Sequence, residues 1–272
     1  MDWMLKKRLV PCIVTKGELV VQSFGFNRYL PIGDIKTAIE FFVNWDVDEI
    51  IVIDIDASRE GRSFNLDLVS WAATECFVPL TIGGGISTQQ HIRDLLKVGA
   101  DKVCVNSIAR RDPNFIAEAS AAYGSQCITV SIDVIETPDG YRVYDYLAKS
   151  ALQQSPAALA VEMESLGAGE IFVNSVDRDG SRRGYDLELL HSISSRLKIP
   201  VIACGGVGSF RHLAPGVIEG GCEAVSAANI FQHSEHSTIA AKAHLVSSGV
   251  DVRLSSNVKY KDFEFDLMGR PF

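Results

Sequence analysis

Two stretches of the sequence repeat each other at one fixed spacing. GAGEIFVNSVDRDGS matches VDEIIVIDIDASREG with Glu170 aligned to Glu49, and PVIACGGVGS matches PLTIGGGIS with Gly205 aligned to Gly83. The two spacings agree to within one residue, which chance seldom produces twice. The repeat predicts a fold built from two similar halves, and few architectures can be divided in this way.

Short apolar strands alternate with amphipathic helices along both halves. Eight strand–helix pairs can be read from the chain, a pattern typical of the (βα)8 TIM barrel. We therefore predict a barrel of two half-barrels, as a single domain over residues 1–272 with 252–272 as a C-terminal extension. The segment from Thr15 to Gly33 is predicted to be a long loop, functional or mobile. ETPDGYRVYDY is predicted to be a small hairpin around its D-G turn.

Composition and charge exclude several classes of protein. The chain has 272 residues and a net charge of −8, which argues weakly against nucleic acid as the main partner. It has no uninterrupted apolar run of about 18 residues and no signal-peptide layout, so we expect no membrane span and a cytoplasmic protein. Its six cysteines lack C-x-x-C spacing, so buried free thiols are expected rather than a metal site or disulfides. No cofactor is expected.

Glycine runs end one strand in each half, where backbone N–H groups could approach an anion closely. In such barrels phosphate often binds after strand 7 and at the short helix after strand 8. Here these regions are Gly205–Ser209 and Ala227–Asn229, and the half-related site would use Gly83–Gly85 with Asn106 and Ser107. Tight turns alone would also require these glycines. We favour phosphate binding because the feature occurs twice and in register.

Carboxylates at strand ends form the second group of candidates. They are Asp54, Asp56, Asp133, Asp177 and Asp179. An acid that faces the barrel mouth can act as a general acid or base, whereas the alternative role is to cap a loop. We favour the functional role for Asp133, while capping explains Asp177 and Asp179 equally well.

Four charged residues of alternating sign stand at the starts of strands 1, 2, 4 and 6. They are Arg8, Glu49, Lys102 and Glu170. Strand starts lie at the bottom of a barrel, so these charges could form a ring of salt bridges across it. Buried charges are costly unless paired. From the residues alone, a stabilising plug is the simplest interpretation.

Across about residues 5–252 the chain resembles the cyclase subunit of imidazole glycerol phosphate synthase, a (βα)8 barrel of histidine biosynthesis. The matching runs are KRLVPC, DEIIVIDIDAS, PLTIGGGI, GADKVCVNS, YGSQCITVSID, GAGEIFVNSVDRDGSRRGYD and IPVIACGGVG. The resemblance implies a substrate with two phosphates at the barrel top. It also implies a separate glutaminase subunit docked on the bottom, and ammonia that travels up through the barrel.

The same resemblance implies roles for individual residues. Phosphate binding falls on Gly85, Asn106, Ser107, Gly180, Gly206, Ala228 and Asn229. The family usually has a small hydroxyl residue at the last of these positions. The four strand-start charges correspond to the ammonia gate, and the channel above them would be lined by Thr81 and Cys104. Asp101 matches a residue of the glutaminase interface.

The chain departs from the family at the barrel top. The cyclase uses two acids, of which the second corresponds to Asp133 and the first to Val14. A loop lysine that closes over the substrate corresponds to Gln22. Valine neither accepts nor donates a proton, and general acid–base help is worth typically about 10²–10⁴-fold. Cyclase activity is therefore expected to be weak or absent.

A changed top with an intact bottom resembles a paralogous group linked to surface-polysaccharide biosynthesis. Its members pair with a glutaminase and deliver ammonia to a sugar amidotransferase, which converts an acetamido group into an acetamidino group on a nucleotide-activated sugar. We favour this function. An active histidine-pathway cyclase and a non-catalytic docking scaffold are the alternatives.

Overall fold

The computed structural model describes residues 6–232, 238–255, 260, 265 and 266. Its centre is a closed barrel in which each parallel strand pairs with the next along the chain and the last pairs with the first. The eight strands are β1 (Arg8–Lys16), β2 (Ile50–Asp54), β3 (Leu80–Gly83), β4 (Lys102–Val105), β5 (Ile128–Thr137), β6 (Glu170–Ser175), β7 (Val201–Cys204) and β8 (Ala224–Ala227). The predicted (βα)8 barrel is confirmed.

Helices between the strands cover the outside of the barrel. Side-chain caps fix several helix starts; the Asp34 carboxylate, for example, accepts from the backbone N–H groups of Lys36 and Thr37. The helices are Ile35–Val43, Ala57–Glu60, Leu66–Glu75, Gln89–Lys97, Ser107–Arg111, Asn114–Tyr123, Pro156–Ser165, Leu187–Ser194, Leu213–Ile218 and Thr238–Ser247. Short 3₁₀ turns span Ser125–Cys127, Phe210–His212 and Asn229–Gln232.

Apolar side chains fill two separate regions. The larger cluster lies between the strands and the helices and includes Phe42 and Phe210. The smaller one fills the barrel interior with Val10, Cys12, Ile51, Phe172, Ile202, Cys204 and Ala224. In the part of the chain that the structure describes, no helix combines the length and apolarity that crossing a membrane requires.

The segment between Thr15 and Gly33 is a β-hairpin, so the prediction of a long loop was wrong. Its strands, Leu19–Phe24 and Arg28–Asp34, pair antiparallel, and the first also pairs with the end of β1. The tip turns through Gly25, whose φ is 59°. We call residues 19–34 the first hairpin. The hairpin predicted around the D-G turn is confirmed: the end of β5 pairs with Gly140–Asp145, and residues 134–145 are the second hairpin.

The described part of the C-terminal segment 252–272 packs on the bottom of the barrel. Val252 forms an isolated parallel bridge with Lys7, just before β1. The Tyr260 hydroxyl donates to the Asp46 carboxylate, just before β2. The Lys242 ammonium, only 1% exposed, pairs with the same carboxylate at 3.5 Å and with Asp48 at 2.8 Å. Val252 and Tyr260 are therefore held at the side of the barrel at which the strands begin.

Candidate functional site

The four strand-start charges form one closed ring of ion pairs at the barrel bottom. Glu49 Oε2 accepts from Arg8 Nη1 at 2.7 Å and from Lys102 Nζ at 2.9 Å. Glu170 accepts from the same two cations, at 2.7 Å from Arg8 Nη2 and 2.8 Å from Lys102 Nζ. Each cation therefore touches both acids. We call these four residues the ionic ring.

Hydroxyl groups from neighbouring strands complete the ionic ring. Thr81 Oγ1 donates to Glu49 Oε1 at 2.7 Å, and Thr129 Oγ1 donates to Glu170 Oε2 at 3.3 Å. Burial by itself lowers the pKa of Arg8, but the carboxylates of Glu170 and Glu49 outweigh it and leave that pKa raised. The ring is thus a layer of mutually paired acidic and basic side chains across the barrel axis.

Asp101, predicted at a partner interface, lies beside the ring at the bottom. The residue is exposed, and one carboxylate oxygen accepts from the backbone N–H of Leu80 at 2.8 Å. This bond holds the start of β3.

Above the ring, the barrel interior is lined by neutral groups. Burial raises the pKa of the Cys12 thiol well above its usual range, raises that of Cys104, and raises that of Cys204 to about 12. These three thiols therefore stay protonated at neutral pH. With the buried Phe172 ring they form the floor of a cavity at the opposite end of the barrel.

That cavity, at the carboxyl ends of the strands, has a volume of about 140 Å³. Val14 and Asp133 both line it, so the two halves of the repeat face the same space. Asn106 Nδ2 donates to Asp133 Oδ2 at 2.8 Å. The mouth thus carries a carboxylate on the β5 side and an isopropyl group at the matching place on β1.

Burial raises the pKa of Asp133 to about 7, although the Asn106 hydrogen bond and the nearby Arg110 charge oppose the shift. At neutral pH the group exists in both protonation states. A carboxyl in this condition can both give and take a proton, which is the property expected of a general acid or base.

Asparagine in place of Asp133 should change how stability depends on pH. The folded-state pKa lies above the ordinary value, so the folded protein holds a proton that the unfolded chain releases between about pH 4 and pH 7. Wild-type stability should therefore fall as the pH rises through this window, and Asp133→Asn should not share that loss. Urea unfolding at pH 8 should show the variant more stable by about 2 kcal/mol, since one pKa unit corresponds to about 1.4 kcal/mol and unpartnered amide hydrogens offset part of the gain. Equal pH slopes for the two proteins would contradict the shifted pKa.

The other candidate acids hold loops in place. Asp54 accepts from the N–H groups of Asp56 and Ala57 and pairs with Arg62 at 2.7 Å. Asp56 itself pairs with Lys16 at 3.0 Å. Capping is therefore the observed role of Asp54.

Two further candidate acids bind the hairpins. Asp177 accepts from the N–H of Glu136 in the second hairpin at 2.7 Å. Asp179 accepts from Ser23 Oγ in the first hairpin at 2.6 Å. Of the five predicted carboxylates, Asp133 is thus the one that has neither a backbone N–H donor nor an ion-pair partner among the described residues.

The seven residues to which the family resemblance assigns phosphate binding all line the same cavity. The lining includes Gly85, Asn106, Ser107, Gly180, Gly206, Ala228 and Asn229. The structure therefore brings together residues from both halves of the repeat, although their role in binding stays a prediction. No group of three or more His, Cys, Asp or Glu side chains among the described residues is placed to hold a metal ion.

Several mouth residues escaped the sequence analysis. Phe26 and Tyr29 line the cavity from the first hairpin, and Tyr146 lines it directly after the second hairpin. The rings of Phe26 and Tyr146 meet edge-on at 6.1 Å, and the Tyr29 and Tyr146 hydroxyls lie 3.5 Å apart. Arg110, with a side chain 7% exposed, pairs with Asp145 at 3.3 Å. The aromatic spacing of YRVYDY was the sequence signal that could have indicated these aromatic residues. No sequence feature indicated a role for Arg110.

The ionic ring and the cavity at the opposite end of the barrel both lie within a match in sequence to a known family. Residues 8–238 match the sequence model of a family described as histidine biosynthesis protein. The chain belongs to the histidine biosynthesis protein family. A Vibrio vulnificus (strain YJ016) protein, provisionally named imidazole glycerol phosphate synthase subunit hisF2, is 64% identical over 269 residues, which cover 99% of each chain.

The histidine biosynthesis family match contains every residue of the ionic ring and of the mouth. It begins at Arg8, the first residue of β1, and ends at Thr238, the first residue of the last helix. The family match and the hisF2 relative both support the resemblance to the cyclase subunit. Neither distinguishes the histidine-pathway cyclase from the sugar-modifying group.

Proposed function

We propose that this chain is the synthase subunit of a glutamine amidotransferase complex that conducts ammonia rather than closing a ring. A glutaminase subunit docks on the bottom, and ammonia passes through the barrel. A sugar amidotransferase then uses it for acetamidino modification of a nucleotide-activated sugar. The observation that carries the proposal is the contrast between a complete ionic ring and a mouth in which Val14 replaces one of the two expected catalytic acids. We place the complex in the cytoplasm, where six free thiols would stay reduced.

The bottom of the barrel suits a gate. The carboxylates of Glu49 and Glu170 are each shared between Arg8 and Lys102. A cation that arrived from outside would find both carboxylates already paired with Arg8 and Lys102, while a small neutral molecule needs only a slight separation of the side chains. Exposed Asp101 beside the ring is a suitable contact for a glutaminase.

The interior suits neutral ammonia. Above the ring the path is lined by the hydroxyl of Thr81, the protonated thiols of Cys12 and Cys104, and the ring of Phe172. A charged ammonium ion would lose its hydration there without a counter-ion, which costs far more than the passage of a neutral molecule. The proposal therefore includes selection of the neutral form.

The residues that line the mouth support the alternative function, an active cyclase. The seven predicted phosphate-binding residues line one cavity together with Asp133, so a phosphorylated small molecule could bind there. The absence of an acid at Val14 argues against efficient cyclisation, because it removes proton transfer worth typically about 10²–10⁴-fold. A scaffold without transport would need neither the ring nor the neutral interior.

Turnover of the cyclase's aminoribonucleotide substrate separates the two functions. The purified chain is mixed with this substrate and ammonium salt, beside a cyclase that carries both acids. We expect turnover at least about 10²-fold below that of the two-acid enzyme. Turnover within about tenfold of it would reject the conduit and establish the cyclase.

Dependence of the glutaminase on the barrel tests the gate. A glutaminase co-purified with the chain from its host should lose most of its activation when Lys102→Met replaces the wild type, because one cation of the ring is gone. Lys36→Met is the matched control, since exposed Lys36 lies at the opposite end of the barrel. Unchanged activation by Lys102→Met would count against the gate, and recovery of no glutaminase at all would favour the scaffold.

A further inference from the structure

The first hairpin is bonded to the barrel by a side chain predicted to bind phosphate. Asn229, directly after β8, donates from Nδ2 to the Ser23 carbonyl at 2.7 Å and accepts at Oδ1 from the Ser23 N–H at 3.2 Å. The amide group therefore pairs with the Ser23 backbone as a neighbouring strand would. Gln22 adds a longer contact of 3.5 Å to the Asn229 carbonyl. Both polar ends of the Asn229 amide are used.

Asp179, after β6, bonds the same hairpin from the other direction. Its Oδ2 accepts from Ser23 Oγ at 2.6 Å and from the Phe26 N–H at 3.2 Å. Its carbonyl accepts from the Gly25 N–H at 3.1 Å. The hydrogen bonds from Asn229 and Asp179 to this short stretch of backbone are what we call the latch.

The latched hairpin lies directly on one half of the predicted phosphate region. A Cβ added at Gly180 would stand 2.5 Å from Phe24 Cδ1 and 2.7 Å from the Ser23 carbonyl oxygen. Gly180 and Asn229 are therefore both covered by the hairpin. On the opposite side, the three atoms nearest to a Cβ added at Gly85 belong to Arg62 and Ala57. The close hairpin contacts thus fall on Gly180 and Asn229, at the ends of β6 and β8.

We propose that Asn229 and Asp179 latch the first hairpin over the ends of β6 and β8, so that the mouth binds a ligand through a phosphoryl group on the Gly85 side alone. This rests on the proposed function only in taking the mouth as the place of a phosphorylated ligand. The ligand class is a molecule with one terminal phosphoryl group at the Gly85, Asn106 and Ser107 side. A molecule with phosphoryl groups at both ends gains no binding affinity from its second phosphoryl group.

The latch also determines how readily the mouth would bind a ligand with two phosphoryl groups, which needs both the Gly85 side and the Gly180 side. When only a minor fraction of the protein has the binding-competent conformation, the apparent affinity for the ligand is reduced in proportion to that fraction. The loss of the two side-chain hydrogen bonds of Asn229 should raise the open fraction by at least about tenfold. Asn229 is on this view a specificity-determining residue of the mouth.

Hydrogen exchange at Ser23 tests the latch on the chain alone. Asn229→Ala should speed exchange of the Ser23 amide by about tenfold, because this N–H donates to Asn229 Oδ1. Asn27→Ala, at an exposed tip position of the same hairpin, should leave Ser23 exchange unchanged. Equal exchange at Ser23 in wild type and Asn229→Ala would overturn the latch.

Phosphate titration tests the consequence. In the wild type, inorganic phosphate should shift the Ser107 amide resonance at lower concentration than that of Gly206, by about tenfold or more. In Asn229→Ala the Gly206 resonance should respond at about tenfold lower phosphate than in the wild type. Equal sensitivity of Ser107 and Gly206 in the wild type would overturn the proposal, as would an unchanged Gly206 response in the variant.

Neither measurement involves a glutaminase or ammonia. A failed latch would therefore leave the conduit proposal intact, and a glutaminase that ignores the barrel would leave the latch intact.

Discussion

Alanine in place of Glu49 should lower the free energy of unfolding by about 3–5 kcal/mol. The Glu49 side chain is only 2% exposed, and it accepts from Arg8, Lys102 and Thr81. Its removal leaves two cations, 23% and 16% exposed, facing one remaining carboxylate on Glu170. Truncation of one partner of a buried pair is costly because the other charge stays buried without compensation. Urea unfolding followed by circular dichroism should give an unchanged slope and a lower midpoint.

The double variant Glu49→Ala/Lys102→Met is the decisive control for the ionic ring. It removes one acid and one cation together and leaves the Arg8–Glu170 pair at 2.7 Å. About half of the lost stability or more should return, because the uncompensated cation is gone. Coupling of this size occurs between residues in direct contact and is absent between independent ones. Additive effects of the two single substitutions would show that the four charges do not act as one unit.

The ionic ring could be predicted from sequence because strand period and position determine it. A charged residue at the start of a parallel barrel strand lies at the bottom of the barrel, and the repeat aligned Glu49 with Glu170. Cations at Arg8 and Lys102 supplied the partners. The meeting of Val14 and Asp133 at one cavity followed from the same alignment of the halves. In these cases local sequence and overall symmetry point to the same geometry.

The first hairpin could not be predicted in the same way. Its second strand, Arg28–Asp34, contains Pro31 and Gly33 and is largely exposed, so it lacks the alternating pattern of a half-buried strand. Bonds from Asn229 and Asp179 help to hold its first strand, and these partners lie far along the chain. Tertiary contacts thus formed a strand pair where local propensity indicated a loop.

The Asn229 latch was hidden for a related reason. The resemblance placed Asn229 among phosphate ligands by position alone, yet its amide is engaged with the backbone of Ser23. A sequence position indicates which residue stands at a strand end. It does not show whether another part of the chain already occupies that residue.

Aspartate in place of Val14 should raise kcat of the residual cyclase reaction by about 10²-fold or more. Val14 and Asp133 line one cavity, and the pKa of Asp133 is raised by burial to about 7. A carboxyl at half-buried position 14 would restore an acid at both of the positions related by the repeat. Two carboxyls that face each other hold their protons at different pH values, which allows one to donate while the other accepts. The measurement is steady-state turnover of the aminoribonucleotide with ammonium salt.

Val14→Asn is the matched control, because it is polar and of similar size but transfers no proton. It should leave kcat at the wild-type level, and equal gains from asparagine and aspartate would show that polarity rather than proton transfer limits the reaction. Adding Asn229→Ser to Val14→Asp should lower KM by about tenfold with kcat nearly unchanged, since the latch acts on the fraction of protein able to bind. No gain in kcat from Val14→Asp would mean that a missing acid does not explain the weak cyclase, and that the changes at Gln22 and in the first hairpin have removed the reaction by themselves.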